Sequence, residues 1–566
     1  MSPSISDLSL QLAALRDGAT NWVALPISTK RELLKKVRAT TLAAAPAWVE
    51  AACAVKGIDP RSPASGEEWS SGPYAVITAT SAIEKTLKLI EKGRSPIDGV
   101  ELGVAPGGRT TLRVFPYLPK DVVLPGYEAQ LWLRPGVSLD QARRGVARAL
   151  RDPHRQPRVT LVLGAGNIIG IPALDILSAL YQEASAVVVK LNPVNAAVAE
   201  AIKAAFAPFI ELGVLLITEG GHELGAALID HDSVDVVHIT GSRHTHDAIV
   251  WGADGQADAR RAASTPLLTK PITSELGGVG PAIVVPEDGW TSENVDDVAR
   301  NIVTQRLHNS GFNCAGTQII VIPAAWQRAD EFVDAVRAHT TAAPERPAYY
   351  PGASSRQLAV VTMHPDAAVL GGDPNVPRTL VDHLDPDKVD EHMFTVEAFA
   401  PVLGIVRLAG SREPSVFLDA AVAFANHRLD GTLSAAIHIH PRTRDVLGEH
   451  FDRAVAELNY GTIGINAWAG TIFGMPGGSW GAYPGNTLAD VRSGIGVVHN
   501  ALLIDPEHVE RTVGTGPWKP SPTPLWYVDN RTAHVTARRL TRFAGIDSWA
   551  IAAPIGAAAI DSYRKG

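Results

Sequence analysis

Two cysteines, Cys53 and Cys314, are all that 566 residues carry, so a disulfide framework is excluded and Cys314 is expected to be a free thiol. Basic excess is lacking too. The formal charge is −8, and the Lys and Arg residues are scattered, which leaves no cationic face for nucleic acid or for an acidic membrane. No apolar run is long enough to span a bilayer: the best, WAIAAPIGAAAI at 549–560, is interrupted by Pro554 and falls short of the roughly 20 residues required. It reads as a docked tail. The opening MSPSISDLSLQLAALRDGATNW has no basic leader followed by an apolar core, so it does not read as a secretory signal and a cytoplasmic location is expected. Internal repeats of 20 to 50 residues and low-complexity blocks are missing as well. These absences leave a large globular protein whose partner is a small molecule.

With 46% apolar and 19% charged residues, the chain can fill two or three packed domains. From residue 159, apolar β-rich runs alternate with helical periodicity: VTLVL, IPALDILSALYQEA, AVVVK, NAAVAEAIKAAFAPFIEL, VLLIT, HELGAALIDH and VDVVHIT. Such alternation requires crossover connections and a mostly parallel sheet covered on both faces. A second series follows with PAIVV, VDDVARNIVTQRL, QIIVI, WQRADEFVDAVRAH, PSVFLDAAVAFANH, SAAIHI and GTIGIN. The expected fold is therefore α/β, with two doubly wound α/β domains and a small antiparallel β arm. The boundary is placed near Pro286. The stretch 108–136 alternates between Pro and Gly turns, as antiparallel strands do. If it protrudes, its edges need cover from another subunit, and a homodimer or homotetramer follows. The full assignment is 1–107 with 153–287 for a cofactor-binding domain, 288–500 for a catalytic domain, and 108–152 with 501–566 for the oligomerisation arm and C-terminal extension.

VTLVLGAGNIIG runs a strand into Gly164, Gly166 and Gly170, as a dinucleotide-binding turn does. Alone it is weak, because the next strand ends in Lys190 where such turns have a carboxylate. Six features in order say more: Asn167, Lys190, ITGS at 239–242, ELGG at 275–278, Asn309-x-Gly311-x-x-Cys314, and EAFAPVL at 397–403. This order resembles the aldehyde dehydrogenase superfamily over roughly residues 155–480.

The resemblance implies an NAD(P)-dependent oxidation of an aldehyde to an acid. Cys314 would attack the carbonyl carbon and hold a thioester, Asn167 would meet the oxyanion, and Glu275 would activate the hydrolytic water. Members that pass the acyl group to coenzyme A generally lack that base. A coenzyme A-linked enzyme and a non-catalytic dinucleotide-binding scaffold are the alternatives. By the same resemblance Lys190 would bond the adenosine ribose, Ser242 after Gly241 would lie near the pyrophosphate, Gly277 would approach the nicotinamide, Glu397 would hold its ribose and Phe399 would lie beside it. Pro193 stands where the family often has a Glu that repels a 2′-phosphate, so the cofactor is NAD or NADP. His246 replaces the second glycine of the usual GSxxxG. His244 and His246 face different ways on a helix, so no metal site is expected. The spacer between Ser242 and Glu275 is long and is expected to be an added surface loop. Phe312 and Trp468 are expected to line an aldehyde tunnel suited to an apolar or aromatic chain.

Overall fold

The structure is a computed structural model describing residues 5–566. Three strands come first: β1 (Leu102–Ala105), β2 (Arg109–Phe115) and β3 (Glu128–Leu133). The first α/β series supplies β4 (Val159–Leu163), β5 (Ala186–Leu191), β6 (Leu215–Glu219), β7 (Val236–Gly241) and β8 (Ile272–Leu276). The second supplies β9 (Gly280–Val284), β10 (Thr317–Pro323), β11 (Ala368–Asp373), β12 (Val376–Leu384), β13 (Val402–Leu408), β14 (Ser434–His438) and β15 (Thr462–Ile465). Two more, β16 (Gly494–Ile495) and β17 (Val509–Thr515), complete the set.

One sheet has the order β16-β8-β7-β4-β5-β6, parallel from β8 to β6. Strand β5, between β4 and β6, is buried at every position, which is why AVVVKL reads as a nearly continuous apolar run rather than an alternation. The other sheet has the order β1-β2-β3-β17-β15-β14-β9-β10-β13-β12-β11, parallel from β17 to β12 and antiparallel at both ends. The two expected doubly wound sheets are therefore present. The helix expected over NAAVAEAIKAAFAPFIEL is broken into a 3-10 turn at Pro193–Val198 and short helices at Ala199–Ala205 and Ala207–Glu211. Pro208 has no N–H to continue the ladder and can only begin a new helix.

Three placements differ from the sequence reading. The chain crosses between sheets at Gly277–Val279, ahead of Pro286, because PAIVV is already a strand of the larger sheet. Gly277 makes this passage possible, since a Cβ there would lie 2.1 Å from Glu397 Oε2. The 108–136 stretch does not protrude: β3 pairs antiparallel with β17 of the same chain, and the free edge falls on β1, where Leu102 and Val104 are exposed. Residues 480–500 return to the smaller sheet, where β16 pairs with β8.

The tail docks as expected. Helix Trp549–Tyr563 turns Ala552, Gly556, Ala559 and Ser562 inward against helix Ala533–Gly545. Among the described residues, no helix is long and apolar enough to cross a membrane.

A buried polar cluster ties the N-terminal helices to the loop before Cys314. Lys56 Nζ donates to Glu68 Oε1 at 2.7 Å and to Asn309 Oδ1 at 2.9 Å, while Glu67 Oε2 accepts from the Asn309 backbone N–H and Oε1 from Arg346. Lys56 and Glu68 are 1% and 0% exposed, so neither charge has water to fall back on. Lys56→Met is expected to strand the Glu68 carboxylate and lower stability by about 3–5 kcal/mol. Denaturant unfolding measures this as a lowered midpoint at unchanged slope.

Candidate active site

Cys314 sits where the two sheets meet, at the end of a loop with forced geometry. Asn309, Ser310 and Gly311 have φ of 54°, 56° and 83°, a left-handed run that costs non-glycine residues about 1–3 kcal/mol each. The cluster around Lys56 holds it, together with Asn309 Nδ2 donating to the Phe312 and Asn167 carbonyls and Tyr349 donating to Asn167 O. Gly311 has no room for a side chain, as a Cβ would lie 2.6 Å from Pro401 N.

The thiol donates to Glu275 Oε1 across 3.7 Å, and the same oxygen accepts the Trp480 indole N–H at 2.7 Å. Burial lifts the Glu275 carboxyl to about 7, and the neighbouring His499 and the two donors hold it from rising further. The Cys314 thiol is raised well above its usual value, first by burial and then by the Glu275 and Glu397 carboxylates. Asn167 lies in the turn after β4. It does not cap the following helix, which starts at Ile171; its side-chain amide donates one N–H to Phe312 O at 3.1 Å and has a second to offer.

A cavity of about 750 Å³ runs from Lys190 to Cys314. Asn167, Lys190, Gly241, Ser242, Glu275, Gly277, Cys314, Glu397 and Phe399 all line it, so the nine residues picked for catalysis and cofactor binding border one cavity. Lys190 ends β5 with its ammonium unpartnered, and burial lowers its pKa. Ser242 caps helix Arg243–Trp251 by accepting from Thr245 N–H, which directs that helix N-terminus at the cavity. Glu397 packs on Gly277, lifted to about 7 by burial while Arg306 and Arg356 oppose the rise. Phe399 lies edge-on to Tyr350 at 5.0 Å, beneath the Arg356 guanidinium. These features fit a dinucleotide: an unpaired cation at one end, a helix N-terminus midway and glycines against the thiol.

His246 fills the place of a glycine as a buried ring facing Asp247, while His244 is exposed. The long spacer forms helix Ala257–Ala262 on the surface, and Ala253 and Leu267 reach the cavity wall. Arg243 clamps Asp430 of the larger sheet's domain in a bidentate pair, fixing the distance between the halves.

A second cavity, about 120 Å³, opens on the other side of the thiol. Its wall is apolar, with Ile168, Ile171, Trp468, Phe473, Trp526 and Leu540 prominent. Trp468 lines it as expected, held by an indole N–H to Ala315 O. Phe312 does not; it is buried in a stack with Tyr349, Tyr350 and Phe399. Sequence reasoning missed Trp480, the Lys56 cluster and the cover that residues 525–540 place over the cavity. None has a local signal, since each acts on a site far away in the chain.

These features define a two-sheet α/β protein with a thiol and a carboxylate paired at the sheet junction, between a dinucleotide-sized cavity and an apolar one. Residues 169–360 match the model of the aldehyde dehydrogenase family. N-succinylglutamate 5-semialdehyde dehydrogenase of Novosphingobium aromaticivorans is 32% identical over 201 residues, covering 35% of this chain and 38% of that protein. Geranial dehydrogenase of Castellaniella defragrans is 29% identical over 280 residues, covering 45% and 50%. The chain thus spans half or less of the length of these curated relatives. Among solved structures, NADP-dependent glyceraldehyde-3-phosphate dehydrogenase from Bacillus halodurans complexed with NADP aligns with a TM-score of 0.59 at 18% identity, covering 91% of this chain and 92% of that one. Aldehyde dehydrogenase C from Pseudomonas syringae with NAD+ and octanal aligns with a TM-score of 0.57 at 15% identity, covering 92% and 91%. Residues 169–360 are thus similar to the aldehyde dehydrogenase family, and the chain as a whole shares the fold of these solved structures.

Proposed function

We propose that the protein oxidises an apolar aldehyde to its carboxylic acid, using NAD or NADP and a covalent thioester on Cys314. The observation that carries this is the 3.7 Å pairing of the Cys314 thiol with Glu275 at the junction of the two cavities. The thiol gives its proton to Glu275, and the sulfur adds to the carbonyl carbon. The oxygen takes up negative charge facing the free N–H of Asn167. Bound nicotinamide supplies the hydride acceptor. Once the thiol's proton has left Glu275 for solvent, the carboxylate takes a proton from water as the hydroxyl oxygen bonds to the acyl carbon and the C–S bond breaks, and it returns that proton to the departing sulfur. The acid leaves, and the thiol is restored.

Lys190, Ser242 and the carboxylate Glu397 are assigned to the dinucleotide. A single cation with no carboxylate three residues on, where Pro193 stands, tolerates a 2′-phosphate, so both cofactors belong in the proposal. Glu275 favours hydrolysis over transfer to coenzyme A.

The test is a panel of aldehydes with NAD and NADP side by side, read as reduced nicotinamide, with intact-mass analysis during turnover. An acyl adduct on Cys314 and acid formed without coenzyme A are expected. An absolute requirement for coenzyme A, or no reduction with any aldehyde, would sink the reading.

The apolar cavity makes its own prediction. Leu540→Trp narrows it away from the thiol and is expected to cut kcat/KM for long-chain aldehydes by about 10- to 200-fold, the worth of a pocket contact or two. Short aldehydes are expected to be unaffected. A chain-length series measures it, and equal losses at all lengths would place the substrate elsewhere.

A further inference from the structure

One column of the smaller sheet carries polar and titratable side chains. Parallel partners His238 and Thr273, then Thr240 and Glu275, stand on the same face of β7 and β8, two residues apart on each strand. Helix Ile171–Tyr181 lies over that face and presents Asp175, whose side chain has no exposure. Thr240 Oγ1 donates to Asp175 Oδ2 at 3.1 Å, and His238 Nε2 lies 3.8 Å from Asp175 Oδ1. His238 Nδ1 reaches the Thr273 hydroxyl at 2.9 Å.

His499 closes the upper end. It follows the Trp480–Val498 bridge, meets Phe473 edge-on at 4.5 Å, and brings Nε2 to 3.5 Å from Asp175 Oδ1. Trp480, which Phe473 also touches, holds Glu275. Glu275 Oε2, Asp175 Oδ1 and both ring nitrogens of His499 are buried without a hydrogen-bond partner. Buried polar atoms normally have a partner, so four without one in one place call for a functional account.

The lower end opens. Asp175, His238 and Thr273 line a separate cavity of about 500 Å³, bounded by Arg155, Arg158 and Glu183, and Thr273 is exposed there. This mouth shares no lining residue with the dinucleotide cavity or the apolar one.

We propose that Glu275, His499, Asp175 and His238 form a proton exit, carrying the proton that Glu275 takes from the Cys314 thiol to the Arg155–Arg158 cavity. This rests on the reading above. In each turnover that proton must leave Glu275 before water can be activated on the thioester, while substrate and dinucleotide occupy the other two openings. The proton moves from Glu275 Oε2 to a ring nitrogen of His499, the opposite N–H passes its proton to Asp175, and His238 delivers it past Thr273 to solvent. No bond other than O–H and N–H changes. Burial favours the neutral members: His499 is held down to about 4, Asp175 lifted to about 6 and His238 lowered, with Glu275 and Asp175 the carboxylates facing these rings.

Asp175→Asn, His499→Gln and His238→Ala are compared in the full-length enzyme with cofactor and an apolar aldehyde, in H2O and D2O. For the first two, a rapid burst of reduced nicotinamide near one per site is expected, followed by a steady rate lowered about tenfold or more with an enlarged solvent isotope effect. His238→Ala is expected to be slowed likewise and restored by imidazole, which the 500 Å³ cavity admits. A structural role would respond to neither D2O nor imidazole. In an active enzyme, burst and steady rate falling together, unaltered kinetics, or no imidazole effect would overturn the relay alone. An unmodified chain that reduces no nicotinamide would overturn the proposed oxidation, and the relay with it.

Discussion

Cys314→Ala is expected to abolish aldehyde oxidation, a loss of roughly 10⁴-fold or more, because no other nucleophile borders both cavities. The other cysteine, Cys53, is fully buried, its thiol pushed up to about 12 by burial, and it lines neither cavity. Dinucleotide binding is expected to survive, since Lys190 and Ser242 line the cavity independently of the thiol. The measurement pairs turnover with dinucleotide titration by fluorescence. Residual oxidation within tenfold of the unmodified chain would remove the covalent route. Loss of both turnover and binding would instead indicate that the left-handed loop at 309–311 had collapsed.

Glu275→Gln is expected to separate the two halves of the reaction. The first half, ending in hydride transfer, is retained in part as a burst, while hydrolysis falls by about 10²–10⁴-fold, the usual worth of a general base. The acyl adduct then accumulates on Cys314 and is visible by intact mass. The sign of the pH dependence follows from the carboxyl at about 7: only the ionised form accepts a proton from water, so hydrolysis rises with pH through about 7 and levels above it. The glutamine variant is expected to lose that inflection. A steady rate unchanged by the substitution, or the same pH inflection without the carboxylate, would assign the base elsewhere.

Much of this was legible in the chain itself. The alternation of apolar runs with helical periodicity gave the strand and helix series, because a buried parallel strand has to be apolar on both faces and its crossover helix on one. Asn167, Lys190, Ser242, Glu275, Glu397 and Cys314 were picked out because their motifs, each weak alone, come in the order of the aldehyde dehydrogenase superfamily, and all six border one cavity. Phe312 was misplaced, since a ring beside a nucleophile can turn either into the tunnel or into the core, and only Tyr349, Tyr350 and Phe399 decide which. The antiparallel strands of 108–136 are present as read, but alternation reports a strand, not the strand it pairs with, and only the fold sets β3 beside β17.

Sequence alone settled which residue types the chemistry has at its disposal and the order in which they arrive, because periodicity and turn chemistry act over a few neighbours. Tertiary structure alone decided that Trp480 holds Glu275, that Lys56 and Glu68 brace the loop of the thiol, that β17 takes β3 into its own sheet, and that residues 525–540 roof the apolar cavity. Those contacts join positions far apart in the chain, 253 residues between Lys56 and Asn309 and 387 between Glu128 and Thr515, and depend on which surfaces exclude water together. That is a property of the packed chain, and no short window of residues encodes it.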